Sequence, residues 1–561
     1  MTKRFLLILC SLGMAFFAFS SCTNRTKANF DIIIKNGKIV DGTGNPWFYG
    51  DIGMVGDIIA EVCDLAGKKA AKTIDAKGLI LSPGFIDLHT HCDMELGQQE
   101  TKSNLNYITK GVTTVVTGNC GTGTFKIAET QAKWEKQGMG RNAVMLVGFG
   151  TVRNEVLGKE NRAPTMEEIE KMKSILRHAM REGAWGISTG LQYIPDRYAT
   201  TEEVIAMTKV VGEYGGVYTS HQRDEEEHLA EAVRETIRIG QETGVRVNSA
   251  HLKAAGKNNW RLMKEAVRLI NDARARGIDI TADMYPYDKA ATTPILAIFN
   301  TPKDMQPFAN IEKKLMEESI LATERVKLFE QAADELGKAL ADRTKRQEIK
   351  KITIEGDPEK VNWVANWGWH NFSIVSAKKN THLIGKIISD LAQAQQKDAF
   401  DIAADLFIEE KNDLIISLAT MSEEDMKDAM KEDWLMISSD GSAVPYKTEH
   451  VHPRNYGSFP RVLGKYVREE KTLTLEEAIR KMSSLPAHFL QLKDRGLLLK
   501  GYKADIVVFD QGKVKDNATY LDPHQYSSGI EYVLINGKVS IEKGQYNNSL
   551  YGKVLLLTEN K

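Results

Sequence analysis

The sequence predicts an α/β fold: a (β/α)8 TIM-like barrel that carries a small β-sandwich built from both ends of the chain and an insert near the barrel mouth. Three observations lead there. Between residues 84 and 441, eight β-branched or apolar runs alternate with amphipathic segments, and most runs finish in polar or ionisable residues. Both flanks of that region change to short alternating strands with glycine turns. The connection between the seventh and eighth runs, from about residue 295 to 430, is far longer than an ordinary loop.

At 561 residues the chain is long for one domain and implies two or three units. Its 74 basic and 75 acidic residues give a net charge of -1, which supplies no basic field for nucleic acid and excludes that class of partner.

The elements follow in order. Residues 1–22, "MTKRFLLILCSLGMAFFAFSSC", place Lys3 and Arg4 before an apolar stretch from Phe5 to Phe19. That pattern reads as an export signal, too short and wrongly flanked for a membrane span. Its ending "FSSC" resembles a bacterial lipobox, which would make Cys22 the lipidated first residue of the mature chain and hold the protein at the periplasmic side of a bacterial membrane. Plain cleavage nearby is the alternative. Residues 29–82 and 495–561 contain "FDIIIKNGKIVDGTG", "KTIDAKGLILSPG", "ADIVVFDQGKV" and "GIEYVLINGKVSIEKGQ", expected to be two halves of one β domain.

Residues 83–295 and 430–494 supply the barrel. Its runs are "GFIDLHTH", "VTTVVTGNC", "AVMLVGFGTV", "GISTGLQY", "GVYTSHQRD", "VRVNSAHLK", "DITADMYPY" and "WLMISSDG". Helices are expected at 228–244, where Ala232, Val233, Thr236, Ile237 and Gly240 share one face, and at 260–277. The insert, 296–429, begins with a charged helical stretch whose simplest reading is a solvated face. Because it grows from the face where such barrels keep their active sites, it could also act as a lid.

The chemistry concentrates at strand ends. In "SPGFIDLHTHCD" alternation sends His89 and His91 to one side, and Cys120, His221, His251 and Asp440 end the second, fifth, sixth and eighth runs. Imidazole, thiolate and carboxylate are the ligands zinc takes, and six of them around one mouth can hold one or two ions. Beside a metal-bound water, Asp440 is the natural general base, accepting a proton during attack and returning it to a leaving nitrogen. Cys10 and Cys22 belong to the leader. The remaining three, Cys63, Cys92 and Cys120, form no even disulfide framework, and Cys63 and Cys92 read as structural.

These blocks, with "GVTTVVTGNCG", "SHQRDE", "AHLKAAGKNNW", "ADMYPY", "SSDGS" and "HPRNYGSFPRVLGKYVRE", make the chain resemble the D-aminoacylase (N-acyl-D-amino-acid deacylase) branch of the amidohydrolase superfamily from about residue 30 to 545. The resemblance implies zinc-dependent release of a free D-amino acid and a carboxylate from an N-acyl-D-amino acid, with metal-bound hydroxide attacking. It implies that Cys120, His221 and His251 hold the tighter zinc, that His89, His91 and Asp440 surround a second, weaker position, and that Asp440 is the acid/base. It further implies that Arg454 clamps the substrate carboxylate, with Tyr285, Lys253 and Tyr193 as further pocket residues. One departure stands out: "YPYDKAATT" puts Ala291 where a carboxylate-contacting serine is usual, so that Thr292 or Thr293 would have to compensate. Two other functions stay open on the sequence: another amidohydrolase activity, on a cyclic amide or a cell-wall-derived dipeptide, and a zinc-binding lipoprotein without catalysis.

Overall fold

The computed structural model describes residues 30–315, 322–357, 362–447 and 451–557. The expected export signal with Cys22, and His450, lie outside the described residues. Among the described residues, no helix is long and apolar enough to cross a membrane.

Eight parallel strand runs, the third split into the two segments Asn142–Met145 and Val147–Gly148, alternate with helices, as their alternating apolar runs require. The first three, Phe85–Asp87, Val112–Thr117 and Asn142–Met145, pair side by side, and a second sheet runs through Val147–Gly148, Gly186–Gly190, Val217–His221, Arg246–Ser249, Ile280–Met284 and Leu435–Ile437. A parallel bridge between Thr90 and Gly441 connects the eighth segment back to the first. The helices bury the faces their spacing dictates. Leu229–Thr243 covers the expected 228–244 region and buries Ala232, Val233, Thr236, Ile237 and Gly240. It stops at Gly244, whose φ of 67° supplies the left-handed cap that ends a helix cleanly.

The third run is not the single strand its sequence suggests. Asn142–Met145 pairs with Val112–Thr117 on one side and, on the other, with Val554–Leu555 from the end of the chain. Only Val147–Gly148 continues toward Gly186–Gly190. Part of the expected C-terminal β half therefore serves this parallel sheet instead, and Trp185 fixes it by donating its indole N–H to the Leu555 carbonyl at 2.6 Å.

The two flanking regions meet in one nine-stranded sheet. Its N-terminal strand Ile80–Pro83 pairs antiparallel with the C-terminal strand Ile506–Phe509. Ile34, Ile52 and Leu81 from one end of the chain share a buried core with Ile506, Val508 and Leu534 from the other. Cys63, half-buried at the end of strand Ile58–Cys63, is disulfide-bonded, contrary to the expectation drawn from the odd cysteine count.

At the root of the insert, strand Lys289–Pro294 pairs with Ile415–Thr420, itself paired with Ser373–Ser376. Its charged stretch is helical over Ala322–Ala341 and Arg343–Glu355, but it is more than a solvated face. Leu328, Ala332, Leu336 and Leu340 repeat at helical spacing and enter a core, with Phe400 and Phe407, that is separate from that of the eight-strand region.

Candidate metal centre and active site

The expected ligands converge because each lies at, or within four residues of, the carboxyl end of a parallel strand, His91 being the farthest, four residues past Asp87. His221 is the last residue of its strand, His89 and His251 lie two residues past theirs, and Cys120 and Asp440 three. There the chain must turn sharply: Cys120, His251 and Asp440 have φ of 53°, 34° and 48°, a conformation that costs non-glycine residues about 1–3 kcal/mol each. Neighbouring hydrogen bonds impose it. The Asp440 N–H donates to the His89 carbonyl at 2.9 Å, and the His251 N–H donates to Asp283 Oδ1 at 3.1 Å.

Cys120 Sγ is the hub. It lies 3.4 Å from His89 Nε2, 3.6 Å from His221 Nδ1, 3.7 Å from His251 Nε2 and 3.9 Å from His91 Nε2. Asp440 Oδ1 lies 3.1 Å from His91 Nε2 and 3.5 Å from His89 Nε2. Burial alone would raise the Cys120 thiol, but the facing imidazoles, His89 foremost, hold it well below its usual range. Asp440 is likewise buried yet held well below the carboxylate range, chiefly by Arg454 and His251.

This donor set fits zinc. Three overlapping groups, His89–His91–Cys120, Cys120–His221–His251 and His89–His251–Asp440, each bring their ligand atoms within 4.8 Å of one another. The second is the trio expected for the tighter ion.

A supporting shell went unread in the sequence. Glu225 Oε1 lies 2.9 Å from His251 Nδ1, Gln192 Oε1 lies 3.0 Å from His221 Nε2, and Asp283 Oδ1 lies 3.7 Å from His89 Nδ1. Asp283 is itself fixed by the Ser438 hydroxyl and the Asn248 amide, each donating at 2.6 Å. Carboxylates behind ligating histidines set the tautomer and raise the basicity of the ring. Glu225 stands in "SHQRDE" and Asp283 in "ADMYPY", so only their proximity to ligand strands signalled them.

The cavity above the ligands measures about 310 Å³. Of the expected pocket residues, Arg454, Lys253 and Tyr193 line it, while Tyr285 is buried beneath Arg454, whose guanidinium lies 4.8 Å from the Tyr285 ring centre. Arg454 Nη1 donates to Asp440 Oδ2 and to the Ala290 carbonyl, both at 2.8 Å. Lys253 is committed to Glu225 at 2.5 Å. Tyr193 lies against His221, ring centres 4.6 Å apart. Ala291 lines the cavity but neither Thr292 nor Thr293 does, so the expected compensation for the usual serine is not made there. Cys92 is buried and free, and it stays apart from the ligand groups, as alternation required.

The amidohydrolase family model termed Amidohydro_3 matches residues 72–307 and 376–541. The chain belongs to this amidohydrolase family. A D-aminoacylase of Alcaligenes xylosoxydans xylosoxydans is 32% identical over 94% of this amidohydrolase and 98% of the relative. Among solved structures, an N-acyl-D-glutamate deacylase of Bordetella bronchiseptica, complexed with zinc and a phosphonate mimic of the tetrahedral intermediate, superposes with a TM-score of 0.73 at 28% identity, covering 94% of this chain and 100% of that one. A D-aminoacylase structure described by its binuclear metal centre, with one-metal activation and second-metal attenuation, gives 0.71 at 30% identity over 94% and 99%.

Proposed function

We propose that this amidohydrolase is a zinc-dependent deacylase that hydrolyses the amide bond of N-acyl-D-amino acids, a carbon–nitrogen bond outside peptides, releasing a carboxylate and a free D-amino acid. The observation that carries the reading is the meeting, in one cavity, of a Cys120–His221–His251 donor trio, the Asp440 carboxylate and the Arg454 guanidinium. The relatives named above are deacylases of this kind.

Zinc held by Cys120, His221 and His251, with a second and weaker ion near His89, His91 and Asp440, would lower the pKa of a coordinated water and polarise the acyl carbonyl. The chain does the rest. Asp440 takes the proton released as water adds to the carbonyl and delivers it to the amide nitrogen as the C–N bond breaks, which balances the hydrolysis. Arg454 orients the substrate through its α-carboxylate, a fork-shaped donor meeting a planar acceptor. Tyr193 stands beside His221, where it can steady the carbonyl oxygen, and Lys253 with Glu225 keeps His251 in place.

The finer architecture belongs to the same reading. The eight parallel strands, joined through the Thr90–Gly441 bridge, are taken as a closed (β/α)8 barrel over 83–295 and 430–494, and the nine-stranded sheet as a β-sandwich folded at strand Phe30–Ile39, which pairs along one edge with both Ala70–Asp75 and Ile80–Pro83. The leader supports export as a lipoprotein anchored through Cys22 on the periplasmic side.

The deciding experiment measures amino-acid release by zinc-loaded protein lacking the leader, on paired N-acetyl-D and N-acetyl-L amino acids, with Asp440→Asn as control. Release from D substrates that vanishes in the control is expected. Cleavage of neither hand would overturn the deacylase reading and turn attention to cyclic amides and dipeptides.

A further inference from the structure

Membership of the family leaves the preferred side chain undecided, since the relatives include both a D-aminoacylase and an N-acyl-D-glutamate deacylase. The cavity wall contributed by the insert and its first strand bears on that choice. Ala290, Ala291, Trp363, Trp367 and Leu418 line it, and all five are apolar.

We infer that this wall receives the amino acid's side chain, and that the enzyme selects N-acyl-D-amino acids with large apolar, above all aromatic, side chains over those with acidic ones. The inference rests on the deacylase reading and deepens it. Its geometry begins at Arg454, whose Nη1 lies 2.8 Å from the Ala290 carbonyl. A substrate carboxylate held by that guanidinium has its Cα one bond away, beside the same strand. Ala291 stands directly opposite Leu418 in the strand pair, so the nearest surface to the Cα substituent is aliphatic. The rings of Trp363 and Trp367, 4.6 Å apart and inclined at 50°, extend it with an aromatic face.

The wall is also held in register with the catalytic groups. Trp367 donates its indole N–H to the Glu226 carboxylate, and the adjacent Glu225 holds His251 and Lys253. A substrate with a second carboxylate would find no free cation here. Among the described residues lining the cavity the only lysine or arginine side chains are Lys253 and Arg454; the first is paired with Glu225, and the second is needed for the α-carboxylate. An acidic side chain would therefore lose its hydration against tryptophan and leucine without a partner.

The test is kcat/KM of zinc-loaded mature protein on the N-acetyl derivatives of D-phenylalanine, D-leucine, D-alanine, D-glutamate and D-aspartate. D-phenylalanine and D-leucine are expected to exceed both acidic substrates by about tenfold or more. Trp363→Ala is expected to cost about tenfold more on D-phenylalanine than on D-alanine, mainly through KM, and Trp363→Phe to restore most of it. Leu418→Lys places a cation in the wall and is expected to move the preference toward D-glutamate, which protects the test if Trp363→Ala folds poorly. Equal or better rates on D-glutamate or D-aspartate in the unaltered enzyme would overturn the side-chain assignment while leaving the deacylase reading intact. Equal losses on D-phenylalanine and D-alanine in Trp363→Ala would reduce that residue to a structural role and overturn the wall's part in selection. Absence of cleavage of every substrate would overturn both.

Discussion

Arg454 Nη1 sits 2.8 Å from Asp440 Oδ2, so the group assigned to the substrate carboxylate and the group assigned to the proton are already partners before any substrate arrives. A substrate that engages Arg454 competes directly with Asp440 for the guanidinium. Arg454→Lys keeps the charge but loses the planar fork, and should lower kcat/KM about 10–100-fold, mostly through KM. Steady-state kinetics checks this; an unchanged KM would separate Arg454 from the substrate.

Asp440→Asn keeps the shape of the side chain and removes its capacity to take a proton. Turnover is expected to fall about 10²–10⁴-fold while the Cys120–His221–His251 trio still retains one zinc per chain. Metal content by mass spectrometry alongside single-turnover rates distinguishes a lost proton carrier from a lost metal.

The carboxylates behind the histidines should matter nearly as much as the ligands. Asp283→Asn and Glu225→Gln, each with a partner within 3.7 Å of a ligand ring, are expected to weaken zinc about 10–100-fold in competition with a chelator. Unaltered zinc affinity in both variants would deny them the orienting role.

Gly121 follows Cys120 with φ of 77°, and a methyl group there would fall 2.3 Å from Asp196 Oδ2 and 2.9 Å from the Gly190 nitrogen. Gly121→Ala combines left-handed strain with a clash against backbone, and is expected to destabilise the fold by about 2 kcal/mol or more. Urea unfolding measures it, and a midpoint shift too small to detect would contradict the packing described around Cys120.

Asp196 also gives stability a pH dependence. Burial pushes its carboxyl from the usual 3.8 up to about 8, although the Gly190 N–H hydrogen bond and Arg153 pull the other way. The folded protein thus keeps a proton that the unfolded chain releases. Its contribution is fully present below pH 3.8 and is lost as pH rises through about 8. Unfolding free energies should therefore decline across that window on account of this residue, and Asp196→Asn should flatten the decline. An identical slope in the variant would refute the assignment.

The residues that meet at the cavity were legible in the sequence and their supports were not, for a physical reason. His89, His91, Cys120, His221, His251 and Asp440 stand at or just past apolar runs, so alternation and strand endings mark them directly. Asp283, Glu225 and Gln192 matter only because a distant histidine turns its second nitrogen toward them, a relation that no local pattern encodes. The insert was visible as length and charge, but its sheet joins Ala291 to Leu418 across more than a hundred residues, and no local pattern marked Trp363 and Trp367 as lining the cavity. The split of the third run was hidden likewise, because Met145 and Val147 differ in partner and not in character.

Synthesis order gives the Val554–Leu555 strand a further consequence. The edge of Asn142–Met145 that it covers is made by the ribosome about four hundred residues before its cover, and strand Ile80–Pro83 waits equally long for Ile506–Phe509. Neither sheet can close until those distant strands are made, so the growing polypeptide exposes two unpaired strand edges for most of its synthesis. Removing residues 552–561, and with them the strand that covers this edge, should therefore cost soluble yield before it costs any catalytic group.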